Sequence, residues 1–314
     1  MAYNFRRRSQ LQKFDVIIPV KSTNRLFLNN IASLAEFQEV ESIIIGDAGL
    51  AEDTRESVRC MPKVNLICHA HIKSQGACII DLVQRVSTSC FVYLHGDVTL
   101  PEGWFYEMHR GLSEADFVEC GRHYEYEISH FDYSMDRVFP KARPLSGAQM
   151  GKRDFFLRAT EKVDDDFLFR NEDLIFADLI EQIGGTYSIV NTTHHTHQIG
   201  FKRENENIDG SVSLKLVRRP SNSAKDRDIF LCQIRGLLKY TSGGHSYLRD
   251  NVLYSKMVLD SFGVNTRFKH LMEGHPISWR WRVYEYLIPL SLLWLRARFV
   301  YKALRVPNQR LFES

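Results

Sequence analysis

The chain reads as an α/β protein, a mostly parallel sheet flanked by helices and followed by a helical C-terminal extension. Three observations predict this. Short β-branched runs alternate with segments of helical period four times in about a hundred residues, and strands joined through crossover helices pair in parallel. Two of those runs stop at a turn carrying an aspartate, Asp47 and Asp97, at the strand ends where such sheets bind ligands. The charge is also divided: residues 201–314 hold 20 Lys and Arg against 10 Asp and Glu, leaving 21 against 28 in the first 200.

The elements follow in order. Residues 15–20, Asp-Val-Ile-Ile-Pro-Val, form a buried strand. From Asn24 to Phe37, Leu28, Ile31, Leu34 and Ala35 fall at helical spacing. A second strand, Val40 to Ile45, runs into Gly46-Asp47-Ala48-Gly49. A third strand covers Val64 to Cys68, a helix Gly76 to Val86, and a fourth strand Cys90 to Leu94, closed by His95-Gly96-Asp97. Pro101-Glu-Gly103 opens a helix containing Trp104 and Met108. Phe117 to Cys120 continues the sheet, and 122–145 forms an aromatic and charged excursion. A helix from Asp173 to Ile183 stops at Gly184-Gly185, and Tyr187 to Val190 is the last strand. Residues 201–228 read as a polar, basic connector; 229–240 and 247–272 read as helical. The organisation expected is one domain over 1–200, with halves at about 14–100 and 101–200, and an extension over 201–314.

Composition narrows the class. At 314 residues, 44% apolar and 25% charged, the chain can bury a large core without staples. Six cysteines include no C-x-x-C pair, so neither a zinc knuckle nor a thioredoxin-like site is expected. Most lie in apolar runs and read as reduced thiols, and no apolar stretch follows Arg6-Arg7-Arg8, so the expected location is the cytoplasm. No G-x-G-x-x-G follows the first strand, against a dinucleotide-binding oxidoreductase. No RNA or DNA motif accompanies the basic tail, so nucleic acid is not an expected partner.

Four segments in this order resemble family 2 glycosyltransferases, whose fold is called GT-A. They are Val16-Ile-Ile-Pro-Val20, Ile43-Ile-Ile-Gly-Asp-Ala-Gly49, Tyr93-Leu-His-Gly-Asp-Val-Thr-Leu-Pro101 and Asn171-Glu-Asp-Leu174. The resemblance spans roughly residues 14 to 200. It implies a nucleoside-diphosphate sugar as donor, a glycan or lipid-linked acceptor, Mg²⁺ or Mn²⁺, and inversion at the sugar. Pro19, Val20 and Asp47 would then line the base pocket, and Lys73 and Gln75, after the third strand, would reach a phosphate or the base. The family's Asp-x-Asp is here His95-Gly96-Asp97, so one carboxylate is replaced by an imidazole. Asp97 matches the metal-binding position, with His95 and Gly96 beside the donor. Asp173 would be the general base and Glu172 its support or an acceptor contact. Gly147-Ala-Gln-Met150 resembles the segment facing the donor sugar and acceptor.

Three imidazoles fall within His194-His195-Thr196-His197. In an extended segment His195 and His197 share one side, and relatives supply a metal-binding histidine here, so both are candidate ligands with Asp97. Two other classes compete. A sugar nucleotidyltransferase would need a Gly-rich loop after the first strand, and residues 20–25 contain no glycine. A non-catalytic binding or scaffold protein of the same fold would explain His95. In the tail, Leu287, Leu290, Trp294, Ala297, Tyr301 and Leu304 fall at helical spacing among Arg280, Trp281, Arg282, Arg296, Arg298, Lys302 and Arg305. The apolar stretch is too short to span a bilayer. It suits a helix lying in a membrane interface and also one packed on protein.

Overall fold

The computed structural model describes residues 12–69, 74–126, 147–163, 172–199 and 224–305. They fall into two compact units. The first contains the described residues of 1–131 and 144–216, the second residues 224–305.

The first unit is built on an eight-stranded sheet of order β3-β2-β1-β4-β7-β6-β8-β5. Strands β1 (Phe14–Val20), β2 (Val40–Asp47), β3 (Val64–Cys68) and β4 (Cys90–Leu94) pair in parallel. Three helices connect them: α1 (Phe27–Glu36), α2 (Glu52–Arg59) and α3 (Gln75–Gln84). Beyond β4 the sheet becomes mixed. Strand β7 (Ala148–Lys152) lies antiparallel to β4 and to β6 (Phe117–Tyr126), and β8 (Tyr187–Ile199) runs parallel to β6. The two-residue β5 (Val98–Thr99) pairs antiparallel with the end of β8. Helices α4 (Trp104–Leu112), α5 (Arg153–Thr160) and α6 (Glu172–Gln182) complete the unit.

Strand alternation gives the sheet two buried faces. On one, Val16, Ile18, Ile43, Ile45, Val92, Val118 and Met150 pack with Phe27 and Ile31 of α1 and Trp104, Phe105 and Met108 of α4. On the other, Phe91, Phe117, Phe156 and Phe176 interlock, with Phe156 centred 5.1 Å from Phe91 and 4.9 Å from Phe176. Each such buried aromatic contributes about 2–3 kcal/mol. One carboxylate fixes the start of the sheet. Asp15 on β1 is buried and accepts from the Ser42 hydroxyl of β2, from the Ser87 amide and hydroxyl at 2.6 and 2.8 Å, and from the Thr88 amide at 3.0 Å. Burial pushes its carboxyl up, and these donors outweigh that and hold it below 3.8.

Several elements differ from the sequence expectation. The last strand does not end at Val190: β8 continues to Ile199 and contains the histidine run. Its register against β6 shifts so that Cys120 faces Val190 and Gly121 faces His194, which bulges out residues 191–193. Helix α2, strands β5 and β7, and α5 were not expected. α2 buries only Thr54 and Val58 and so shows little periodicity. The excursion expected at 122–145 begins as the extension of β6 to Tyr126, and its remainder lies outside the described residues, as does the connector up to residue 223.

The second unit comprises α7 (Ala224–Tyr240), α8 (Ser246–Ser261), α9 (Phe268–Met272) and α10 (Trp279–Arg305). The single helix expected over 247–272 is broken by a turn in which Gly263 takes φ +72°. Trp281 is fully buried and donates to the Thr241 carbonyl at 3.0 Å, so it anchors α10 inward and is not the interfacial residue its arginine neighbours suggested. Trp279, Val283, Tyr286, Leu290, Leu293 and Trp294 are exposed along the same helix. No described helix is long and apolar enough to cross a membrane.

Candidate active site

The candidate site forms at the carboxyl ends of β1, β2 and β4, where the parallel half of the sheet meets the mixed half. β4 ends at Leu94, and the chain turns through His95-Gly96-Asp97 into β5. Asn30 of α1 holds this turn by donating to the Gly96 carbonyl at 3.2 Å and to Gln198 Oε1 at 2.9 Å. The Gln198 amide in turn donates to the Asp97 carbonyl at 2.8 Å. The pairing of Val98 with His197 then places the two strands' polar ends together. His197 Nε2 lies 3.1 Å from Asp97 Oδ1, and the rings of His95 and His197 are 5.4 Å apart. One ligand atom from each of His95, Asp97 and His197 lies within 4.8 Å of the others, close enough to share a cation.

His195 does not join this group. It lies on the same side of β8 as His197 but is fully buried, its Nδ1 3.4 Å from Cys120 Sγ. Burial, with the charge of Arg122 and the neighbouring histidines, drives its pKa down to about 2. Gly147 sits directly over it: the backbone there has φ +134°, and a Cβ would come within 2.6 Å of His195 Nε2. Only glycine fits that position, and its carbonyl accepts from the His95 amide at 2.9 Å. His194, on the opposite side, stacks on His123 at 3.7 Å.

Two carboxylates approach from the second face of the sheet. Glu172 and Asp173 open α6, yet they are only 5% and 8% exposed. Acidic residues that merely favour a helix N-terminus usually sit in solvent, so the helix dipole alone does not account for the burial of both. Tyr93 connects Glu172 to the turn. Its hydroxyl lies 2.8 Å from His95 Nε2, 2.7 Å from Gln75 Nε2 and 3.4 Å from Glu172 Oε1. Burial, and next the Glu172 charge, push its pKa well above 10. In the same cross-strand row Tyr93 pairs with Gln149 and Gln149 with Glu119, all buried. Neither amide atom of Gln149 has a hydrogen-bond partner among the described residues.

Pro19 and Val20 end β1 beside Gly46 and Asp47. The Asp47 carboxylate is internally engaged, accepting from the Gly49 and Leu50 amides at 2.9 and 2.7 Å and from Arg55 Nε at 2.6 Å. Burial raises its pKa, and Arg55 with the two amides outweighs that and lowers it. Next to it, Gly46 leaves room for a buried His69–Cys78 contact of 2.9 Å, with His69 Nε2 on Asp81 at 2.7 Å. Lys73 lies outside the described residues. The structure thus brings together His95, Gly96, Asp97, His197, Gln75, Gly147 and Glu172, and adds Tyr93, which the sequence hides inside an apolar strand.

No known protein-family model matches the chain. No curated protein matches it either. Among solved structures it is similar to GalNAc-T7 crystallised with UDP, GalNAc and Mn²⁺, with a TM-score of 0.54 and 12% identity. The match covers 89% of this chain, which spans 58% of that one. At that identity the likeness is one of architecture: a curled, mixed eight-stranded sheet flanked by helices, the GT-A fold.

Proposed function

We propose that this chain is a metal-assisted, inverting glycosyltransferase, related to family 2, acting through its first 200 residues. It would move a sugar from a nucleoside diphosphate sugar to a hydroxyl of a glycan or lipid-linked acceptor. One observation carries the reading: His95, Asp97 and His197 converge at the carboxyl end of β4, and Tyr93 links His95 to the buried Glu172, next in sequence to the buried Asp173. The GT-A fold shared with a structure holding UDP, GalNAc and Mn²⁺ supports the donor class.

Two imidazoles and one carboxylate suit a divalent transition ion, so Mn²⁺ fits this donor set better than Mg²⁺, which prefers oxygen alone. Such an ion supplies Lewis-acid stabilisation of the charge that builds on the departing diphosphate. Pro19 and Val20 would border the base, with Asp47 holding the turn beside it. Gln75 and Gly96 would approach the diphosphate, and Gly147 the donor sugar. Asp173 accepts the proton of the acceptor hydroxyl as its oxygen bonds to the anomeric carbon from the opposite face. The bond from that carbon to the diphosphate oxygen breaks, and the nucleoside diphosphate leaves with the electron pair. Glu172 orients the acceptor.

The second unit supports a seat on an anionic membrane surface. The exposed stripe of α10 is apolar, and the helix carries six Lys and Arg against Glu285 alone. Calorimetric titration with UDP-, GDP- and dTDP-sugars, with and without Mn²⁺, tests the central claim on wild type and Asp97→Ala. One nucleotide should bind only with the ion, and Asp97→Ala should abolish that. Absence of binding to all three would favour a non-catalytic protein of this fold, with His95 as the mark of lost activity.

A further inference from the structure

Tyr93 offers one hydroxyl to three polar neighbours. Gln75 Nε2 is 2.7 Å from Oη, His95 Nε2 2.8 Å and Glu172 Oε1 3.4 Å. A phenol donates once and accepts through its remaining lone pairs. A carboxamide nitrogen only donates and a carboxylate only accepts. Gln75 therefore gives a hydrogen to Oη, and Oη gives its own to Glu172. His95 can then take part only as a donor, through Nε2. One tautomer of neutral His95 satisfies these three contacts together, with hydrogen on Nε2 and the lone pair on Nδ1; the 3.3 Å approach of Gln75 Nε2 to His95 Nε2 is then no hydrogen bond, because Gln75 gives its hydrogen to Oη. An imidazole bound to a cation has this same arrangement, one nitrogen on the ion and the other donating to an oxygen.

We propose that Tyr93 is a positioning residue: it sets His95 to take the cation through Nδ1 and couples the cation site to Glu172. The proposal rests on reading His95, Asp97 and His197 as that site. It explains how an imidazole serves in place of a carboxylate at residue 95. A carboxylate coordinates through either oxygen and needs no orientation of this kind, whereas an imidazole must present the correct nitrogen. Tyr93 sits two residues earlier on the same strand face, 1% exposed, with Gln75 of α3 fixing its hydroxyl from the other side.

The test uses the whole chain, labelled with ¹⁵N at histidine and free of metal, with His95 assigned by its loss in His95→Gln. Long-range ¹H–¹⁵N spectra should show His95 protonated at Nε2 in wild type. In Tyr93→Phe the population should move toward Nδ1–H. Calorimetry with Mn²⁺ and UDP should show affinity falling about 10- to 100-fold in Tyr93→Phe, the usual effect of removing a partner of a metal-bound histidine. In a His95→Gln background the same substitution should change affinity little, because its effect runs through His95. An Nδ1–H tautomer in wild type, or unchanged Mn²⁺ affinity in a folded Tyr93→Phe, overturns the proposal while the cation-site reading stands. Failure of wild type to bind Mn²⁺ with any nucleotide overturns both. The wild-type tautomer requires no variant, so it decides the matter even if Tyr93→Phe does not fold.

Discussion

At the scale of single residues, the roles of buried carboxylates separate by what surrounds them. Asp15 is enclosed by four donors and far from the site, so it holds β1 to its neighbours. Its folded pKa is lowered, so the stability it contributes is complete above about 3.8 and is lost as pH falls through the lower folded value. Asp15→Asn should therefore cost about 2 kcal/mol at pH 7. Urea melts should show that gap closing as pH falls toward 3. A gap that stays constant would mean that the charge of Asp15 contributes nothing. Asp173, proposed as the base, is buried in the first turn of α6. Asp173→Asn should lower transfer at least about 100-fold, the typical contribution of a general base, while donor affinity stays within about twofold. Equal loss of binding and turnover would reassign Asp173 to the donor pocket. Tyr93 was not legible in the sequence, because Phe-Val-Tyr-Leu inside an apolar run reads as core packing. His195 and His197 have the same strand parity, so alternation could not separate the one facing Asp97 from the one facing Cys120.

At the scale of elements, legibility follows periodicity. β1 to β4 and α1 were readable because β-branched runs and a single apolar stripe identify them. β7, Ala-Gln-Met-Gly-Lys, contains no β-branched residue, and β5 is two residues long, so neither leaves a pattern. Both matter to the site: β7 places Gly147 at its head, and β5 brings His197 against Asp97. In α10 the spacing was visible, but its direction was not. Trp281, Tyr284 and Ile288 face inward, while Tyr286 at 85% and Leu290 at 64% exposure face outward. Leu290→Glu with Leu293→Glu should leave the thermal midpoint within about 2 °C, since neither side chain is in the core. Cosedimentation with phosphatidylserine vesicles should drop at least tenfold relative to wild type. If wild type stays in the supernatant at low salt, the stripe has a protein partner instead.

At the scale of the whole molecule, the acidic first part and basic last part seen in the sequence correspond to two units, an α/β unit with the candidate cation site and a helical unit with the exposed stripe. Strand order 3-2-1-4 with an antiparallel continuation makes the site out of segments distant in the chain. That long reach is why the sequence motifs single out Asp97, Glu172 and Gly147 individually but not the contacts joining them. The short β5–β8 pairing has a consequence for synthesis. A chain still emerging from the ribosome can lay down β1 to β4 early, yet Asp97 has no His197 beside it until residues 196–198 have emerged and closed on 97–99. An ion taken by these residues would be captured only once most of the first unit has been made, and an ion that binds only the finished form adds RT ln(1 + [ion]/Kd) to its stability. Such a pocket would act as a completeness check on the first unit, leaving chains cut short before the end of β8 without the ion and easier for proteases to clear.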